Sequence, residues 1–185
     1  ATLSAVLVTS LACAFLALTF LELGATSYVA ALAGVVSGTA TTAWSVAANM
    51  SWTHGPAMLA ISLGVFAASK NRWLLSGIAL GFGILTRPHV AVIAAAIGVW
   101  TSIARKSWQP LIQVGLGSAC GLTALLGYNY WLWSQMTISG GYGDHFTSQF
   151  MNASTSWFLK NVVGALFDLS HGLVPWAPFL AVLVW

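Results

Sequence analysis

Arg87 is followed by Pro88 and His89 and preceded by a stretch, 77–86, in which every side chain except that of Thr86 is small or apolar. A guanidinium in such surroundings costs several kcal/mol unless an anion, a polar partner or water meets it. Its planar fork of donors matches phosphate oxygens, so one reading is a clamp for phosphate. The other is an interfacial arginine that snorkels to headgroups or pairs with Asp144 or Asp168.

His54-Gly55-Pro56 and Arg87-Pro88-His89 both fall at the ends of apolar runs, so two imidazoles and one guanidinium would converge on one pocket if those ends pack together. A neutral imidazole donates to a sugar hydroxyl or a phosphate, whereas His54 and His89 lack further ligands at a metal-binding spacing, and no metal or cofactor is expected. Capping or polar packing is the alternative role for each. The stretch 140–146 is glycine-rich and holds Tyr142, Asp144 and His145, a loop able to cover a substrate, without the strand-to-helix context of a nucleotide loop. Asp144, and Asp168 near His171, are candidate bases or sugar-hydroxyl acceptors, with a solvated or helix-capping carboxylate as the alternative. Cys13 and Cys120 stand alone in apolar stretches and read as packing residues. Asn49 and Asn152 begin glycosylation sequons, which matter only in a secretory pathway that modifies them.

The elements that must hold these residues are apolar throughout. Hydrophobic residues make up 58% of the 185 and charged residues 5%, too few to give a soluble domain a polar surface. The expected fold is all-α, a polytopic transmembrane helical bundle with short and broken helices. The formal net charge of +3 comes from six scattered Lys and Arg that build no basic face, so nucleic acid is not an expected partner. Nothing Pro-, Ser- or charge-rich divides the chain, and 1–185 reads as one domain. Residues 1–23 lack a basic leader and a cleavage site and read as a spanning helix. The start at Ala1 and the end at Trp185 inside an apolar run read as cuts through a longer polypeptide.

Apolar runs cover 3–23, 28–43, 56–68, 73–85, 90–103, 110–133 and 174–184, which predicts about seven membrane-embedded helices. Runs of ~13 residues rise only about 20 Å against a hydrocarbon core of ~30 Å, so several must end inside the protein, borrow flanking residues or thin the bilayer. Lys70 and Arg72 flank one tight connection and Arg105 and Lys106 another, and the positive-inside rule places both in the cytoplasm. Residues 73–104 must then leave and return as two short helices turning at Arg87-Pro88-His89, since proline removes a donor and keeps the residue before it extended. The competing arrangement is a single kinked helix with the basic loops on opposite sides. In the hairpin arrangement 44–55 and 134–157 are outer loops, the first with Trp44, Asn49, Trp52 and His54, the second with Tyr142, Asp144, His145, Gln149, Asn152 and Trp157. Glu22 falls at the cytoplasmic end of the first span, and Gly77, Gly81 and Gly83 form a face suited to close helix packing.

Three stretches carry a family resemblance: 52–57 (WTHGPA), 77–89 (GIALGFGILTRPH) and 170–178 (SHGLVPWAP). They resemble the polytopic GT-C glycosyltransferases, especially the bacterial branch similar to protein O-mannosyltransferases and aminoarabinose transferases. That resemblance implies a multi-pass protein of a bacterial cytoplasmic membrane that transfers a sugar from a polyprenyl-phosphate donor to an extracytoplasmic acceptor. It implies that Arg87 and His89 bind the donor phosphate and that His54, Tyr142, Asp144, His145 and His171 line the substrate pocket. The family's catalytic acid lies on an earlier loop, upstream of this sequence. The alternative is part of a transporter or flippase for an anionic or lipid-linked substrate; the lack of pseudo-symmetric halves and the gathering of polar groups on one face favour the enzyme.

Overall fold

The computed structural model describes residues 2–41, 43, 47–48, 53–140, 148 and 154–168. Among them are seven α-helices and no strand: α1 (Leu3–Glu22), α2 (Ser27–Thr39), α3 (His54–Ser69), α4 (Trp73–Thr86), α5 (Val90–Arg105), α6 (Gln109–Trp133) and α7 (Thr155–Phe167). The all-α expectation holds. The chain divides into two compact units, Ala1–Ile138 and Ser139–Trp185.

Local chemistry sets the helix ends of the first unit. The Thr2 and Thr26 side chains accept from Ala5 N and Val29 N at 3.4 Å, each satisfying an orphan donor at the start of α1 and α2. α6 begins with Pro110 in its first turn, where no intrahelical N–H is needed. Ser102 of α5 accepts from Leu111 N at 2.9 Å, so the helix before the turn caps the helix after it. Arg87 is extended, at φ −148° and ψ 107°, as a residue before proline must be, and this ends α4. Pro88 and His89 then start α5, with Ala91 N and Val92 N donating to their carbonyls at 3.0 Å. The region 73–104 is therefore two helices, and the single kinked helix is excluded.

α4 is the central helix, packed on α3, α5 and α6, while α1 joins α3 to α2. The α4–α6 contact is backbone against backbone. A Cβ on Gly117 would lie 2.6 Å from Ile78 N and 2.7 Å from Leu74 O, and one on Gly121 would run into the Gly81 backbone. Gly77 and Gly81 on α4 thus meet Gly117 and Gly121 on α6, a Gly-x-x-x-Gly pair on each side. The core is built of small residues with Leu80, Ile84, Val90 and Val114, whereas Leu7, Leu11, Ile78, Phe82, Val99 and Leu116 lie exposed. Trp73 and Leu125 join that core, while many large apolar side chains remain on the outside of the unit.

α1, with 20 residues, and α6, with 25, are the two described helices long and apolar enough to cross a membrane, and little of either is buried. α2 to α5, with 13 to 16 residues, rise only about 20–24 Å. At one end of the unit Glu22 pairs with Lys70 at 2.5 Å, and Arg105 donates to Asn71 and lies 5.1 Å from the Trp73 ring. These contacts bring both basic connections to the same end, beside the end of α1, while Arg87 turns at the other.

Two boundaries differ from the sequence reading. The second helix stops at Thr39 and not at Ala43, and α3 starts at His54, two residues before its apolar run, so His54 is helical and not a loop residue. In the second unit, α7 occupies residues given no apolar run, because Lys160 and Asn161 interrupt the pattern. Ser154 caps it, accepting from Trp157 N at 3.2 Å, and Asn161 Nδ2 donates back to Trp157 O at 2.8 Å. The expected helix at 174–184 lies outside the described residues.

Candidate anion-binding site

The extended backbone at Arg87 carries its side chain off the axis of α4 and toward the first turn of α3. There Arg87 Nη1 lies 3.0 Å from His54 Nδ1 and Nη2 lies 3.3 Å from His54 Nε2. A guanidinium only donates, and a neutral imidazole has one accepting nitrogen, so one contact is a hydrogen bond and the other a close approach. The hydrogen bond requires His54 to be neutral. His54 lies outside the two long apolar helices, and its proton affinity is held below that of an ordinary histidine by burial first, then by the charge of Arg87 and by His89.

The helix ends add to the positive character of this corner. His54 is the first residue of α3, with no side-chain cap on the helix, and His89 precedes α5, which also lacks one. The positive ends of two helix dipoles therefore stand beside Arg87, while the first N–H groups of α5 are taken up by the carbonyls of Arg87, Pro88 and His89. Among the described residues Arg87 pairs with an imidazole and with no carboxylate, and Glu22 is engaged by Lys70 at the opposite end. The arrangement suits an anion that accepts from Arg87 at the positive ends of two helices.

An apolar cavity of about 380 Å³ runs between α1 and α2, lined by Val6, Thr9, Cys13, Ala17, Gly34 and Gly38 among others. Thr9 joins it to the cation corner: a Cβ on Gly55, next to His54, would lie 3.8 Å from Thr9 Oγ1 and 3.5 Å from Val8 Cγ1. The Thr9 hydroxyl is buried and has no hydrogen-bond partner among the described residues. A buried hydroxyl left unpaired costs about 1–3 kcal/mol, which a polar group entering from the His54 side would relieve.

Of the residues expected at the site, the fold brings Arg87 and His54 together, with His89 exposed beside them. Tyr142, Asp144, His145 and His171 lie outside the described residues. So do Trp44, Asn49, Trp52, Gln149 and Asn152, whereas Trp157 is on α7. No group of three or more His, Cys, Asp or Glu side chains that would hold a metal occurs among the described residues. Thr9 was not foreseen at the site: a threonine within an apolar helix gives no signal until α3 is packed against α1. Comparisons with protein-family models, curated proteins and solved structures find no match to this chain.

Proposed function

We propose that this chain is part of a multi-pass membrane glycosyltransferase that binds the phosphate of a polyprenyl-phosphate sugar at Arg87 and transfers the sugar on the extracytoplasmic side. The observation that carries the reading is the pairing of Arg87 with a neutral His54, next to two uncapped helix N-termini and without a carboxylate among the described residues. A carboxylate would hold the guanidinium permanently, whereas a neutral imidazole yields to a phosphate, whose charge-assisted bonds are roughly twice as strong.

Two further features support it. The apolar cavity between α1 and α2 includes Thr9, which also packs against Gly55 beside His54, and an apolar cavity near a cation suits an anionic head on a hydrocarbon tail. The exposed apolar side chains around the first unit suit a lipid solvent, and the basic connections at the end opposite Arg87 favour a cytoplasmic orientation of that end, in the bacterial cytoplasmic membrane that the family resemblance implies. In this reading Arg87 stabilises the charge that develops on the lipid phosphate as the sugar leaves, and His54 and His89 donate to phosphate or sugar oxygens.

The test is binding of a polyprenyl phosphate to the purified full-length protein. Arg87→Ala is expected to weaken binding by at least ten-fold, the effect of about 1.5–3 kcal/mol for a bond to a charged group, with helix content unchanged. Arg87→Lys keeps the charge but loses the fork and is expected to fall between the two. Unchanged binding in Arg87→Ala would make Arg87 a structural cation and remove the basis of the proposal.

A further inference from the structure

We propose that the end of the first unit opposite Arg87 is a docking surface for anionic phospholipid headgroups, with Arg72 and Lys106 as the cations that take the phosphate. The inference rests on the membrane placement in the proposed function and not on sugar transfer.

Four of the six Lys and Arg residues of the chain, Lys70, Arg72, Arg105 and Lys106, fall in two connections separated by more than thirty residues, and the fold joins them through the Arg105–Asn71 hydrogen bond. Within that cluster the cations divide into two kinds. Lys70 is neutralised by Glu22 at 2.5 Å, and Arg105 is engaged by Asn71 and the Trp73 ring. Arg72 and Lys106 each adjoin that central contact in sequence; both are exposed and neither has a side-chain partner among the described residues. Lys106 is fixed where it stands: it adopts the left-handed conformation at φ 50° and closes α5 by donating its N–H to Ile103 O and Ser102 O. Two unneutralised charges are thus held by a rigid turn and not by a loose tail.

What lies beside the charges selects the partner. Leu74, Ile103 and Trp108 are exposed immediately next to the two connections, Trp108 at 74%. A soluble phosphate or an acidic peptide would use the charges and leave this apolar shoulder in water. A glycerophospholipid with net negative charge uses both, its phosphate on Arg72 and Lys106 and its acyl chains along Leu74 and Ile103, with the Trp108 ring at headgroup depth.

The experiment is native mass spectrometry of the full-length protein in neutral detergent, titrated with phosphatidylglycerol or phosphatidylcholine, with the thermal transition followed in parallel. Phosphatidylglycerol is expected to bind and raise the transition, and Arg72→Gln with Lys106→Gln is expected to weaken that binding about ten-fold or more. Lys106→Gln alone, at an exposed position, gives an intermediate loss and guards against a double variant that fails to fold. The charge-keeping pair Arg72→Lys and Lys106→Arg retains binding, as does Lys160→Gln. Equal binding of phosphatidylcholine, unchanged phosphatidylglycerol binding in the Gln variants, or full competition by inorganic phosphate would each overturn the proposal. Arg87→Ala separates the two sites: it is expected to lose polyprenyl phosphate and to keep phosphatidylglycerol.

Discussion

The pairing of a guanidinium with an imidazole makes the Arg87 corner sensitive to protons. His54 must be neutral to accept from Arg87, and burial and Arg87 itself hold its proton affinity below the ordinary histidine value. The unfolded chain, with His54 titrating near ~6.5, then binds more protons than the folded chain in the window just below that pH. Stability contributed by a neutral His54 is present above that window and is lost as pH falls through it toward the lowered folded value. The thermal transition of the wild type in detergent should therefore drop as pH is lowered from about 7 to 5, and His54→Gln should show a shallower drop. An equally steep drop in the variant would show that other groups set the acid sensitivity. Arg87 and His54 were legible in the sequence as residue types worth singling out, because a lone cation before a proline in an apolar stretch demands a partner. The sequence offered two sets of partners, the histidines at converging helix ends and the carboxylates Asp144 and Asp168; among the described residues the contact is with His54, 33 residues earlier.

At the scale of the element, the α4–α6 contact decides how the unit is held. Gly117 and Gly121 touch the α4 backbone, whereas Gly115 and Gly127 on the same helix have open space where a side chain would project. Gly121→Ala is expected to destabilise by about 1–3 kcal/mol, since the new methyl meets backbone that cannot move alone. Gly115→Ala and Gly127→Ala should be neutral or stabilising by up to about 1 kcal/mol through helix propensity. Unfolding in a mixed micelle, followed by circular dichroism, compares the three; equal effects would mean that α6 does not pack through its Gly-x-x-x-Gly face. The α4 half of this contact was readable as a run of small residues. Its α6 half has the same spacing at 117 and 121, and the signal was present but is shared by many apolar helices. α7 was missed for the opposite reason: Lys160 and Asn161 break its apolar run, and the helix instead starts from a local cap at Ser154.

At the scale of the molecule, the basic connections and the Arg87 turn lie at opposite ends of the first unit. Single cysteines at Leu23→Cys, Ser107→Cys and His89→Cys, in a chain with Cys13 and Cys120 replaced by alanine, report this in intact membranes. Leu23→Cys and Ser107→Cys should react with an impermeant thiol reagent from one side and His89→Cys from the other. Reaction of all three from the same side would remove the membrane placement on which both proposed lipid sites depend. The sequence by itself determined the apolar, all-helical character of the chain, the break at Arg87-Pro88, and the kinship in charge of the two basic connections. Those follow from composition, from the geometry proline imposes on its predecessor and from continuous apolar runs, all of which are local or additive. Only the tertiary structure decided that Arg87 meets His54, that Asn71 meets Arg105, that Thr9 is left unpaired beside an apolar cavity, and that α6 presents glycines to α4. These are contacts between residues 33 to 46 positions apart, and helices whose outer faces are uniformly apolar give no pattern from which their rotation and neighbours can be read.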